Sequence, residues 1–135
     1  MAFDMVLDHS TAAPSRRRRG QRAYQSGLMA EDSVSRLYLR RGATLLASRW
    51  RGKAGEIDLI FQDGADIVFV EVKASSTHRA AAERLGRAQM DRICLAACEF
   101  CDANGFGGLA SMRFDVALVD AQGRVDLIDN AFGAF

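Results

Sequence analysis

A chain of 135 residues is the length of one ordinary domain, and 49% hydrophobic residues suffice for one core. No apolar run approaches the roughly 20 residues of a membrane-spanning helix. The opening MAFDMVLDHS lacks the basic start and apolar block of a secretory signal, so a cytoplasmic protein with no membrane partner is expected. The net charge of +1 hides an asymmetry: residues 1–92 hold 16 basic and 11 acidic side chains (+5), residues 93–135 hold 2 and 6 (−4).

Residues 1–20, with Pro14 and the run Arg16 to Arg19, read as a disordered basic arm, since like charges in sequence repel. Residues 21–135 then form a single domain. From about Gly27 to Arg41, Ala30, Val34, Leu37 and Tyr38 recur at helical spacing, and Gly42 is placed to stop the helix. A strand is predicted around Thr44 to Trp50, followed by a loop from Arg51 to Gly55. The segment Glu56 to Gln62 alternates, and Asp63-Gly64 is a hairpin signal. Ile67 to Lys73 is apolar enough to be a strand buried on both faces. Residues 80–103 read as a second helix ended by Asn104-Gly105. Strands follow at Arg113 to Val119 and, after a turn at Asp120 to Gly123, at Val125 to Ile128. The order α-β-β-β-α-β with one extra strand predicts an α/β fold, a mixed central sheet flanked by helices.

Two acids, Asp58 and Glu71, stand inside apolar strands, where a carboxylate is costly unless it is paired or bound to metal. If Gln62 pairs with Ile67, Asp58 lies opposite Glu71; if Gln62 pairs with Ala65, it lies opposite Phe69. Strict alternation puts Asp58, Glu71 and Lys73 on one face in either register. Two such carboxylates repel, and a divalent cation, Mg²⁺ or Mn²⁺, resolves the repulsion. A cation there suits phosphodiester hydrolysis, with the Lys73 ammonium stabilising the growing phosphate charge. The plainer alternative is a half-exposed hairpin on which Lys73 is a surface ion-pair partner.

Between Ser33 and Gly55 the chain holds six cations, Arg36, Arg40, Arg41, Arg49, Arg51 and Lys53, and no acid. Such a block suits a nucleic-acid surface, because the arginine fork matches phosphate. An ordinary solvated face is the competing reading.

The segments Gly55-Glu56-Ile57-Asp58-Leu59-Ile60 and Val68-Phe69-Val70-Glu71-Val72-Lys73 resemble the YraN family of small bacterial proteins. That family is itself similar to Holliday-junction resolvases and restriction endonucleases, the PD-(D/E)xK nucleases. The likeness continues in Gly27-x-x-Ala30-Glu31, in Arg113-Phe114-Asp115-Val116 and in an echo at Ala131-Phe132. The resemblance implies a restriction-endonuclease-like αβββαβ core. It implies Asp58 and Glu71 as metal ligands, Lys73 as catalytic lysine and Glu31 as a further catalytic acid from the first helix. The face of Glu31 agrees with this, because it shares a helical stripe with Val34 and Tyr38; an acid favoured by the helix dipole is the rival reading. Glu56 is read as a flanking or surface group. Many relatives carry a lysine where this chain has Gln89, whose amide can still donate to a phosphate.

Cys94, Cys98 and Cys101 form one helical stripe of small apolar residues, and no iron–sulfur cluster is expected from three thiols. His78 lies in a polar loop, and neither it nor His9 has partners for a nucleophilic triad. The expected function is a metal-dependent nuclease-like protein acting on DNA, including branched or single-stranded forms. The alternatives are a nucleic-acid-binding module without turnover and a protein-interaction adaptor. Symmetric resolvase-like action would require a homodimer.

Overall fold

The computed structural model describes residues 16–82, 86–106 and 111–132. Its elements are α1 (Arg16–Arg40), β1 (Thr44–Arg51), β2 (Glu56–Asp63), β3 (Asp66–Ala74), the short α2 (His78–Ala82), α3 (Arg87–Ala103), β4 (Ser111–Val119) and β5 (Val125–Ile128). The five strands lie in one sheet in chain order. β1, β2 and β3 form an antiparallel meander, β4 joins β3 in parallel after the α3 crossover, and β5 returns antiparallel to β4. This is the mixed, helix-flanked αβββαβ core expected from the sequence, with one added edge strand. No helix among the described residues is long and apolar enough to cross a membrane.

The helices cover opposite faces. Ala30, Val34 and Tyr38 of α1 pack on Leu59, Phe61, Val68, Val70, Ala117 and Val119. On the other face Ile93, Ala97 and Phe100 of α3 pack on Ile57, Ile60, Ile67, Phe69 and Phe114. The apolar run of β3 follows from this, since Ile67 to Val70 alternate between two dry faces and all four are buried. The β2–β3 register is Gln62↔Ile67, which selects one of the two pairings open at the level of sequence. The end of α1 satisfies its last carbonyls in a Schellman motif: Ala43 N–H donates to Tyr38 O at 3.1 Å and Gly42 N–H to Leu39 O at 3.0 Å. Gly42 takes the left-handed conformation this motif needs, at φ 94°.

Two boundaries differ from expectation. The first helix begins at Arg16, not near Gly27, so residues 16–20 of the expected arm are helical. Arginine is a good helix former, and the one proline of the chain, Pro14, lies upstream of the helix. The remainder of the expected arm, residues 1–15, lies outside the described residues. The helix expected over residues 80–103 is two helices, because Gly86 is extended (φ −109°, ψ 165°) and starts α3 afresh.

The Arg113-Phe114-Asp115-Val116 segment is structural in its contacts. Asp115 is buried on β4 and accepts from the Tyr38 hydroxyl at 2.6 Å, from Arg113 Nε at 3.1 Å and from Asn130 N–H at 2.9 Å. Ala131 N–H donates to Phe114 O at 2.7 Å, and Phe132 stacks on Phe114 with ring centroids 5.4 Å apart. The Ala131-Phe132 pair thus ties the chain end back onto the sheet.

Candidate active site

β1 shifts register between Leu45 and Ala47, and β2 breaks its own alternation of faces near the site. Ile57 and Ile60 pack into the same core, although strict alternation would separate them, while Leu59 and Phe61 face α1. The slip falls at Asp58. On the neighbouring strand Ser48 pairs with Leu59 and Trp50 with Ile57, leaving Arg49 beside Asp58, and Arg49 has a positive φ of 51°. The β2–β3 ladder runs only as far as Leu59↔Val70. Beyond it, Asp58 Oδ2 accepts the backbone N–H of Val72 at 2.8 Å, taking the place of a ladder partner. The two acids therefore do meet, but through this slip and splay and not through the simple face-sharing that alternation predicts.

The Asp58 and Glu71 carboxylates lie within hydrogen-bonding reach of each other. Burial, and then the Glu71 charge, push the Asp58 carboxyl up to about 7, with the Val72 N–H and Lys73 pulling the other way. Lys73 Nζ is 3.0 Å from Glu71 Oε2, and both side chains are largely buried. Gln89, from the first turn of α3, also donates its amide to Glu71 Oε2. The expected phosphate ligand Gln89 is thus part of the carboxylate cluster itself.

Glu31 faces the sheet as its helical position suggested. Arg49 Nε donates to Glu31 Oε1 at 3.0 Å and Nη2 to Oε2 at 3.3 Å. Burial raises the Glu31 carboxyl, the Arg49 hydrogen bond opposes that, and the Asp58 charge adds to it. Glu31 therefore adjoins the pair across Arg49.

The basic block does not stay together. Acids flanking the acid-free window fold back onto it: Asp32 pairs with Arg36 at 3.0 Å, Glu31 with Arg49, and Glu56 with Arg51 at 3.4 Å. Glu56, read as a flanking group, is this exposed partner. Arg40 and Arg41 are exposed at the far end of α1, nine and ten residues from Glu31, about 14–15 Å along the axis. Arg36 and Arg40 open instead on a groove shared with Gly123 and Val125. Arg51 ends β1, and Lys53 follows it on the β1–β2 loop.

That loop is held by α3. Glu99 Oε2 accepts Lys53 N–H at 2.9 Å and Oε1 accepts Ala54 N–H at 2.8 Å. The Arg92 stem lies on Gly55, with Cδ only 3.0 Å from where a side-chain Cβ would stand. Neither Arg92 nor Glu99 was singled out from the sequence. The available signal was the polar spacing Gln89, Arg92, Glu99, which keeps one face of a helix whose adjoining face is apolar.

The remaining candidates are placed elsewhere. Cys101 is buried and Cys94 half-buried on α3, and burial pushes the Cys94 thiol up to about 11, away from the thiolate that metal binding needs. His78 Nε2 lies 2.9 Å from the carbonyl of Arg124, bracing the β4–β5 turn.

The donors at the cluster fit a hard divalent cation. Both are carboxylates, and the repulsion that raises Asp58 is what a cation between them removes. Among the described residues no group of three or more His, Cys, Asp or Glu side chains gathers as a metal cage. Mg²⁺ is suited to such a sparse set, since it keeps several waters and needs one or two carboxylates.

The mixed sheet, the αβββαβ order and the Asp–Glu–Lys cluster at its splayed strands define a small α/β protein of restriction-endonuclease-like fold. The model of the Uncharacterised protein family UPF0102 matches residues 30–119, and the chain belongs to that family, which is the YraN family. A UPF0102 protein of Cereibacter sphaeroides (strain KD131) is 55% identical over 115 residues, 85% of this chain and 98% of its own. One from Ruegeria pomeroyi is 53% identical over 115 residues, 85% and 94% of the two chains. One from Dinoroseobacter shibae is 46% identical over 123 residues, 91% and 92% of the two chains.

Proposed function

We propose that this protein is a divalent-metal-dependent nuclease acting on DNA, with Asp58, Glu71 and Lys73 as its catalytic set. One observation carries the reading: two carboxylates within hydrogen-bonding reach share a largely buried site with a lysine ammonium 3.0 Å from one of them. An ordinary surface ion pair does not require a second acid forced against the first, with a carboxyl raised by burial.

Asp58 and Glu71 would hold Mg²⁺ or Mn²⁺. When bound, such a cation supplies positive charge to a phosphoryl oxygen and acidifies nearby water. The protein's own groups do the rest. Lys73 carries three donors on a stem fixed beside Glu71, so it can orient an attacking water and stabilise phosphate charge as it grows. The Val72 N–H holds the Asp58 carboxylate at the strand junction. Gln89 fixes the Glu71 side chain from α3. Glu31 and Arg49, as a pair, close the α1 side and keep a counter-charge beside Asp58.

A second reading, binding without turnover, is favoured by one observation: Lys73 and Gln89 both engage Glu71 Oε2. The discriminating experiment is incubation with single-stranded, duplex and four-way-junction DNA, and with RNA, in Mg²⁺ or Mn²⁺ beside Asp58→Ala. Cleavage by the wild type and not by the variant supports the nuclease. Tight binding with no cleavage of any form hands the function to the binding module.

A further inference from the structure

We propose that Arg92 grips a phosphate of the nucleic-acid strand that lies across Asp58 and Glu71, with Gly55 as the platform for its side chain. The inference rests on the nuclease reading above and extends it to a residue on α3. Gln89, Arg92 and Glu99 fall at i, i+3 and i+10 of α3, on one face. The flanking members of this stripe are both tied to the site. Gln89 donates to Glu71, and Glu99 accepts two backbone N–H groups from the loop that leads into Asp58. Arg92 lies between them.

The fit of Arg92 on Gly55 is close. A Cβ at residue 55 would meet Arg92 Cδ at 3.0 Å, Cγ at 3.2 Å and Nε at 3.3 Å, and Gly55 has φ 150°, which a side chain would strain. The methylene stem thus occupies space that only glycine leaves open, three residues before Asp58. The side chain is exposed beyond that contact. Arg49 and Arg51, the arginines of the strand beside β2, are neutralised by Glu31 and Glu56. Arg92 forms no ion pair among the described residues. A planar guanidinium on a braced stem loses little entropy when it binds, and it matches two phosphate oxygens at once.

The test is fluorescence anisotropy of a short fluorescein-labelled DNA duplex, without divalent cations, over a salt series, using the full chain and the variants Arg92→Gln and Arg92→Lys. Thermal melts establish that each variant is folded. The expected result is a log–log salt slope shallower by about 0.9 for Arg92→Gln, the value of one lost phosphate contact on duplex DNA. Arg92→Lys should retain the slope, because it keeps the charge, while binding more weakly than arginine. If Arg92→Gln keeps both the affinity and the slope of the wild type, the assignment of Arg92 is overturned and the nuclease reading stands. If the wild type itself binds no DNA at low salt, both fall together.

Discussion

Asp58 takes the backbone N–H of Val72 at 2.8 Å, one residue beyond the acid it confronts, Glu71. The bond clasps a buried carboxylate at the point where β2 and β3 part. Burial and Glu71 outweigh it, so the Asp58 carboxyl rises from its ordinary 3.8 to about 7. A folded-state value above the unfolded one means that the folded protein binds this proton more tightly. The group therefore favours folding at low pH, and metal-free stability falls as pH climbs from about 3.8 through about 7. Melting temperatures of wild type and Asp58→Asn, measured in chelator across that range, should diverge, with the wild type losing ground as pH rises. Parallel profiles would mean that Asp58 titrates alike in the folded and unfolded chain.

Metal should reverse that loss. At pH 8, Mn²⁺ or Mg²⁺ at a hundred times its dissociation constant would stabilise the fold by about 2.7 kcal/mol. Glu71→Ala should abolish the rise in melting temperature, and calorimetry should show divalent binding to the wild type alone. Equal binding by both proteins would displace the metal site from this pair.

Lys73 separates enzyme from binder. In the proposed nuclease its ammonium would act where charge grows in the transition state, so its loss should depress turnover more than binding. Lys73→Ala is expected to bind Mn²⁺ and DNA within a few-fold of wild type, yet to cleave about a hundred-fold more slowly. Lys73→Arg should rescue poorly, since a guanidinium is broader and stays protonated. Wild-type cleavage rates in Lys73→Ala would place the activity elsewhere.

The Glu31–Arg49 pair is partly buried, with side-chain exposures of 15% and 34%. Glu31→Gln leaves Arg49 without its carboxylate, and Arg49→Ala leaves Glu31 facing Asp58. Each should cost roughly 1.5–3 kcal/mol, the range for hydrogen bonds to charged groups. The double variant should cost less than the sum of the two. Additive losses in urea unfolding would mean that the two side chains do not depend on each other.

Tyr38→Phe tests the assignment of Asp115 to structure. The hydroxyl is one of the donors holding a fully buried carboxylate, and its removal should cost about 1–3 kcal/mol. Metal affinity and DNA cleavage should be unchanged at temperatures where the variant is folded. A selective loss of cleavage would bring Asp115 into the site.

Much of this was legible in the chain because it depends on neighbours in sequence. Apolar spacing placed the buried faces of α1 and α3, and the two-sided run Ile67 to Val70 announced a central strand. Gly42 marked a helix end. Asp58, Glu71 and Lys73 stood out as charges inside apolar strands, and they do come together. The route by which they meet was not legible, since β2 breaks its alternation of faces between Ile57 and Leu59, around Asp58.

By itself the sequence determined the order of elements, the family and the identity of the carboxylate–lysine cluster, since these follow from local periodicity and from acids placed where burial is costly. Only the tertiary structure decided which partner each charge takes. An acid-free window of 21 residues between Ser33 and Gly55 looked uniformly cationic, yet Asp32, Glu31 and Glu56 fold onto Arg36, Arg49 and Arg51. Gln89 meets Glu71 and Arg92 meets Gly55 because α3 packs on the face of the sheet formed by β2 and β3. Charge pairing acts through space, and the distances that govern it exist only once helices have docked on both faces of the sheet.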